Sequence, residues 1–126
     1  MAWSTPKTDW ASTDYFNISD YARIVGNLKY IQSLASEMYA EITLDELADT
    51  KTYTDFLYAD EMNSIEHNLE SLNNGTYAFD IGTTQTYSAN GATPLYSEFN
   101  RIESATLKIK TTLEVQKENI PTLSFT

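Results

Sequence analysis

Three stretches of this chain place large apolar residues at steps of three and four, and each opens with the same short phrase. The phrase runs acid, large apolar, small or amide, polar, isoleucine: Asp20-Tyr21-Ala22-Arg23-Ile24, Glu61-Met62-Asn63-Ser64-Ile65 and Glu98-Phe99-Asn100-Arg101-Ile102. Steps of three and four put side chains on one face of an α-helix. The spacing predicts one helix over 18–41, striped by Tyr21, Ile24, Leu28, Ile31, Leu34 and Met38. A second covers 59–73, striped by Met62, Ile65, Leu69 and Leu72. A third covers 96–118, with Phe99, Ile102, either Thr106 or Leu107, Ile109 and Leu113. Each stripe must be covered, and three stripes facing one another form one core, which predicts an all-α fold, a small three-helix bundle.

The acid of the phrase falls in a first turn, where unpaired N–H groups favour negative charge. Ser19, Asp60 and Ser97 are the expected N-caps. The agreement extends past the phrase: Asn27-Leu28 matches Asn68-Leu69, and Asn63-x-Ile65-Glu66 matches Asn100-x-Ile102-Glu103. The copies start 41 and 37 residues apart, at 20, 61 and 98, which lies within the range of repeat architectures. Their connectors are unlike, so a solenoid is not required.

With 126 residues the chain suits a single domain, 1–126, able to bury a core without staples, and it has no cysteine. The helical core is expected over 18–118, with a loop at 74–95. Thr43 followed by Glu46 reads as a capping box, predicting an additional short helix at 44–50. Asn74-Gly75 predicts a left-handed helix stop. Alternating Tyr77, Phe79 and Ile81 predict one short strand. Residues 1–17 read as an extended aromatic segment laid across the bundle, and 119–126, broken by Pro121, as an extended C-terminal arm.

A formal charge of −10 opposes binding to nucleic-acid phosphates and anionic lipid, because Glu98, Glu103, Glu114 and Glu118 interleave with Arg101, Lys108, Lys110 and Lys117. No apolar run is long enough to span a bilayer, and the start lacks the basic and apolar regions of a secretory signal. His67 is the only histidine and has no second ligand motif, so no metal or other cofactor is expected and the residue reads as helix surface. There is no G-x-S-x-G and no glycine-rich phosphate loop. Asp45, Glu46, Asp49, Asp60 and Glu61 read as helix-start or solvated charges, not as a catalytic pair. The chain is expected not to be an enzyme.

Aromatics are the surplus, with nine Tyr, five Phe and two Trp. Such rings offer contact area at low entropic cost. The residues least explained by a three-helix core are Trp3, Trp10, Tyr15 and Phe16 before the first helix, and Leu123 and Phe125 in the arm. These are the candidate partner contacts, the arm by strand addition. For Trp10, folding back onto its own bundle is an equal alternative.

The opening, with Trp3, Pro6-Lys7-Thr8-Asp9-Trp10, Asp14-Tyr15-Phe16-Asn17 and then Asp20-Tyr21-x-Arg23-Ile24, resembles a segment recurrent in tail and baseplate proteins of phages and prophages of Gram-positive bacteria. The later Tyr58-Ala59-Asp60-Glu61-Met62-Asn63 and Tyr96-Ser97-Glu98-Phe99-Asn100 are similar to helix starts of the same proteins. The resemblance covers about half the chain by its segments. It implies a structural role in the virion tail, baseplate or adsorption apparatus, with other virion proteins as partners, homo-oligomerisation, and assembly in the bacterial host cytoplasm. It carries over no catalytic residue. The alternative expectation is a module binding host cell-wall saccharide through the Tyr/Thr/Asn-rich loop 76–94, at Tyr77, Phe79 and Tyr87.

Overall fold

In a computed structural model, residues 3–47, 59–76, 78–88 and 94–119 are described. They form three helices, α1 (Ile18–Ala35), α2 (Ala59–Asn74) and α3 (Tyr96–Asn119), and no strand. The expected stripes meet in one core: Tyr21, Ile24, Leu28 and Ile31 from α1, Met62, Ile65, Leu69 and Leu72 from α2, and Ile102, Ile109 and Leu113 from α3 are all buried. Full burial of each such side chain is worth about 1.5–3 kcal/mol. The choice left open on α3 falls to Thr106, which is buried with its hydroxyl donating to the Glu103 carbonyl at 2.8 Å, while Leu107 is exposed.

The three helices run parallel. Phe16, just before α1, stacks on Phe99 in the first turn of α3, with centroids 4.6 Å apart, and Arg23 reaches Glu103. At the other end Glu37 pairs with Lys117 at 2.8 Å, and the Tyr39 hydroxyl lies 3.0 Å from Gln116. α2 joins in the same sense: Glu66 meets Arg101, and further along both helices Asn73 of α2 holds Phe79 while Lys108 of α3 reaches the neighbouring Asp80 carbonyl. Parallel neighbours cannot be joined by a tight turn: a helix of the length of α1 spans roughly 27 Å at 1.5 Å per residue, so the chain must return at least eight extended residues or so. That is why the connectors 36–58 and 75–95 are long for a domain of this size.

The returning chain runs antiparallel to the helices and lies in the grooves between them. Residues 3–10 lie against α1 and α3, 42–47 against α1 and α2, and 79–87 against α2 and α3. In the second of these straps Ile42 sits beside Gly75 and its carbonyl accepts from Gln32 at 2.7 Å, Asp45 lies beside Asn68, and the Leu47 carbonyl faces Lys29, so the strap moves toward the start of both helices. Ordered passage of a strap along a groove demands small residues at some crossings. A Cβ on Gly75 would stand 2.7 Å from Ile42 Cδ1, and one on Gly82, whose φ is +77°, 2.6 Å from Arg101 Cδ.

Several local expectations are corrected. α1 ends at Ala35, six residues short of the expected end, because the chain then tightens into turns in which the Glu37 and Met38 amides reach back three residues, to the Leu34 and Ala35 carbonyls, with Ser36 Oγ donating to the Ser33 carbonyl at 2.7 Å. Its N-cap is Asn17, not Ser19: the Asn17 amide donates to Asp20 Oδ2 at 2.8 Å. Ser97 lies inside α3, which starts at Tyr96. Of the expected short helix at 44–50, residues 44–47 are non-helical, since both backbone groups of Asp45 are taken by the Asn68 side chain; 48–50 lie outside the described residues. The strand expected around Phe79 does not form, because Ala78 has φ +66° and Asn73 occupies the Phe79 backbone. Gly75 stops α2 as expected, yet it is not left-handed among the described residues; its small size admits Ile42. The arm residues 120–126 lie outside the described residues.

Candidate functional site

The polar chemistry of the chain converges on the grooves. Five asparagines hold the straps, each taking the N–H and the C=O of a single residue with its own amide. Asn27 clamps Ser4 (2.9 and 2.8 Å), Asn100 clamps Trp10 (2.7 and 3.0 Å), and Asn68 clamps Asp45 (2.7 and 3.0 Å). Asn63 clamps Tyr87 (2.7 and 2.8 Å) and Asn73 clamps Phe79 (2.6 and 2.9 Å). A carboxamide offers one acceptor and a pair of donors, so it imitates the edge of a neighbouring strand. This satisfies backbone groups that would otherwise be desolvated without a partner, a cost of about 1–3 kcal/mol each.

These clamps give the repeated phrase its physical content. Asn63 and Asn100 occupy the same register position in α2 and α3, and Asn27 and Asn68 the same later position in α1 and α2. Alanine stands at the remaining places, Ala22 and Ala105. The first strap is held by the later position of α1 and the earlier position of α3; the third is held by the earlier position of α2 and runs on beside α3. The contacts therefore pass around the bundle in one sense.

Two buried carboxylates follow the same rule. Glu103, 1% exposed, accepts a forked pair from Arg23 (Nε to Oε1 2.6 Å, Nη2 to Oε2 2.8 Å), the Trp10 indole N–H at 2.6 Å and the Lys7 amide at 3.0 Å. Glu66, at the matching position of α2, accepts from Arg101 Nη2, the Gln85 amide at 3.0 Å and the Tyr87 hydroxyl at 3.2 Å. Each arginine also holds the acid of its own phrase, Arg23 with Asp20 at 2.8 Å and Arg101 with Glu98 at 3.3 Å. The matching positions on the remaining pair of helices are Ser64 and Val25, which carry no charge at all. The Glu103 hydrogen bond is the main cause raising the Arg23 pKa above its ordinary value. For Arg101, burial acts to lower it, but Glu66 and Glu98 outweigh that and the net shift is upward. Burial first, and the Glu66 charge second, push the Tyr87 hydroxyl well up.

The residues singled out in the sequence divide between the interior and the surface. Trp10 is buried, stacked on Phe16 (5.9 Å) and packed against Phe99 (5.3 Å). Phe16 is half-buried in the same cluster. Trp3 is half-buried, 5.6 Å from the Tyr30 ring and under the Lys110 ammonium at 5.1 Å. Tyr15 is 85% exposed. With it on the surface stand Leu95, 64% exposed, and Tyr96; because Phe16 stacks on Phe99, all three fall at the end of the bundle where α1 and α3 begin. Leu123, Phe125 and Tyr77 lie outside the described residues. Phe79 and Tyr87 are half-buried and both are clamped through their backbones. His67 is exposed on α2, its Nδ1 2.9 Å from Asp45 Oδ2, and no group of three or more ligand-type side chains suited to a metal occurs among the described residues. No helix among the described residues is long and apolar enough to cross a membrane.

Sequence reasoning missed the clamping asparagines and the buried glutamates. The available signal was their identity in register: asparagine is a poor helix former, so its recurrence inside two helices, beside the apolar stripe, called for a compensating bond. Models of protein families, curated proteins and solved structures yielded no match to this chain.

Proposed function

We propose that this chain is a non-enzymatic structural component of a phage virion, in the tail, baseplate or adsorption apparatus, working by packing against other virion proteins. The observation that carries the reading is the opening segment, Trp3 to Ile24. The residues on which the resemblance to tail and baseplate proteins rests are the same ones that make the first strap, the turn after it and the first pair of ionic contacts. The conspicuous charged groups, Arg23, Arg101, Glu66 and Glu103, serve to fasten helices and straps. Exposed Tyr15, Leu95 and Tyr96 supply apolar area for a neighbour, and the arm residues Leu123 and Phe125 are further contact candidates. The saccharide reading draws less support, since Phe79 and Tyr87 are engaged within the bundle.

The test is to purify particles from induced lysates of the strain that encodes the chain, by density gradient, and to look for it by mass spectrometry and immunogold labelling. Presence in particles with gold on the tail is the expected result. A chain recovered only outside particles overturns the proposal. Removing residues 121–126 is expected to lower incorporation while melting changes little.

A further inference from the structure

The first strap differs from the other two in how it is joined to the bundle. Residues 42–47 and 79–87 each connect one helix to the next, whereas 3–10 connect to the described bundle only through 11–17. Its fastening comes from distant residues: Asn27 on Ser4, Asn100 on Trp10, Glu103 on the Lys7 amide and the Trp10 indole, and Tyr30 and Lys110 around Trp3. The groove thus treats the strap as a bound extended peptide. The joining residues Ala11 to Tyr15 are all exposed, and their internal ties are a short turn in which Asp14 bonds Ala11 and faces Lys7.

We propose that the groove between α1 and α3 is a peptide-binding surface that accepts the first strap of a second copy of this chain, with residues 11–15 opening as the hinge of a strap exchange. Every bond from the groove to 3–10 is the same whether the strap comes from its own chain or from another. The two arrangements then differ only in the hinge turn, with the ties of Asp14 to Ala11 and Lys7, and in concentration. A short flexible tether corresponds to an effective concentration in the millimolar range, so the closed form prevails in dilute solution and exchange is favoured where copies are crowded or the hinge is too short to fold back.

The experiment uses the full chain with Ser12 and Thr13 deleted, sized by light scattering on a gel-filtration column at about 10 µM, far below that effective concentration. The deletion is expected to double the mass relative to the parent while keeping its helical dichroism. Adding Asn27→Ala and Asn100→Ala is expected to return the mass to that of the parent. An unchanged mass with retained helicity overturns the proposal, as does a doubled mass that survives the two asparagine changes. Should the deletion unfold the chain, two differently tagged parent chains are refolded together at roughly millimolar concentration and then diluted. Mixed-tag species that decay slowly are expected, and their absence, or equal formation by the asparagine variant, overturns exchange.

Discussion

The two buried carboxylates occupy matching positions on α3 and α2, face matching arginines and receive matching straps, yet they are not equally satisfied. Glu103 has donors on both oxygens: a fork from Arg23, an indole and an amide. Around Glu66 the arginine approaches through Nη2, and among the described residues Glu66 Oε1 and Arg101 Nη1 are buried without a hydrogen-bond partner. Two differences account for this. Trp10 delivers a donor from a fully buried ring, where Tyr87 offers a hydroxyl from a half-buried one. Arg101 also passes beside Gly82, its Cδ 2.6 Å from where a Cβ on that residue would stand. An ion pair out of water holds the fold only when its remaining lone pairs and protons are occupied, so equal sequence register does not mean equal contribution.

The comparison is broken most severely from beneath. Ile102→Asp and Ile65→Asp put a carboxylate beside each node in the common apolar seam, and each is expected to cost about 3 kcal/mol or more and to unfold or strongly loosen the domain, read by thermal melting. Wild-type melting for either would show that the two helices do not share a core. Next in size is the direct contrast. Glu103→Ala leaves Arg23 with Asp20 alone and strands the indole and the Lys7 amide, and is expected to lose about 3–5 kcal/mol in urea unfolding. Glu66→Ala begins from a poorer arrangement and is expected to lose at least about 1 kcal/mol less. Equal losses would mean that the unpartnered atoms at Glu66 carry no penalty.

Smaller effects sharpen the picture. Asn100→Ala releases both backbone groups of Trp10 and is expected to cost about 2 kcal/mol, with a red shift of tryptophan fluorescence as the strap loosens. Gly82→Ala adds a methyl where φ is positive and Arg101 passes, for an expected cost of about 1–2 kcal/mol, largely through the Glu66 node. The least effect is expected from alkaline titration. Tyr87 ionises at a higher pH in the folded chain than the ordinary value of 10.0 it has when unfolded. Its contribution is therefore intact below pH 10.0 and is lost as pH rises above it, because the unfolded chain then gives up the proton first. Tyr87→Phe should flatten this part of the stability profile while the Glu103 side is unaffected.

Much of the bundle was legible from spacing: the stripe of α2 and that of α1 through Leu34 sit inside as read, while Met38 falls past the end of α1 and is half-buried, and the repeated phrase marks the start of each helix. Periodicity reports which face is apolar and is silent on direction, so the parallel arrangement did not show in it. The length of the connectors was the available clue. Residues 44–47 and 78–81 were misread because turn and alternation patterns assume that a backbone bonds to itself or to another backbone. Here Asp45 and Phe79 bond to asparagine side chains instead. Trp10 illustrates a second blind spot: nothing in its spacing distinguished a ring for a partner from one whose N–H reaches a glutamate 93 residues away.

A clamp that grips only N–H and C=O is indifferent to the side chain it holds. Ser4 and Asp45, both exposed beyond their clamps, should tolerate nearly every substitution except proline, which has no N–H to give. The outer skin of the straps is thereby uncoupled from the stability of the bundle. Selection acting on what this surface touches can rewrite residues there one at a time without disturbing how the helices are tied together.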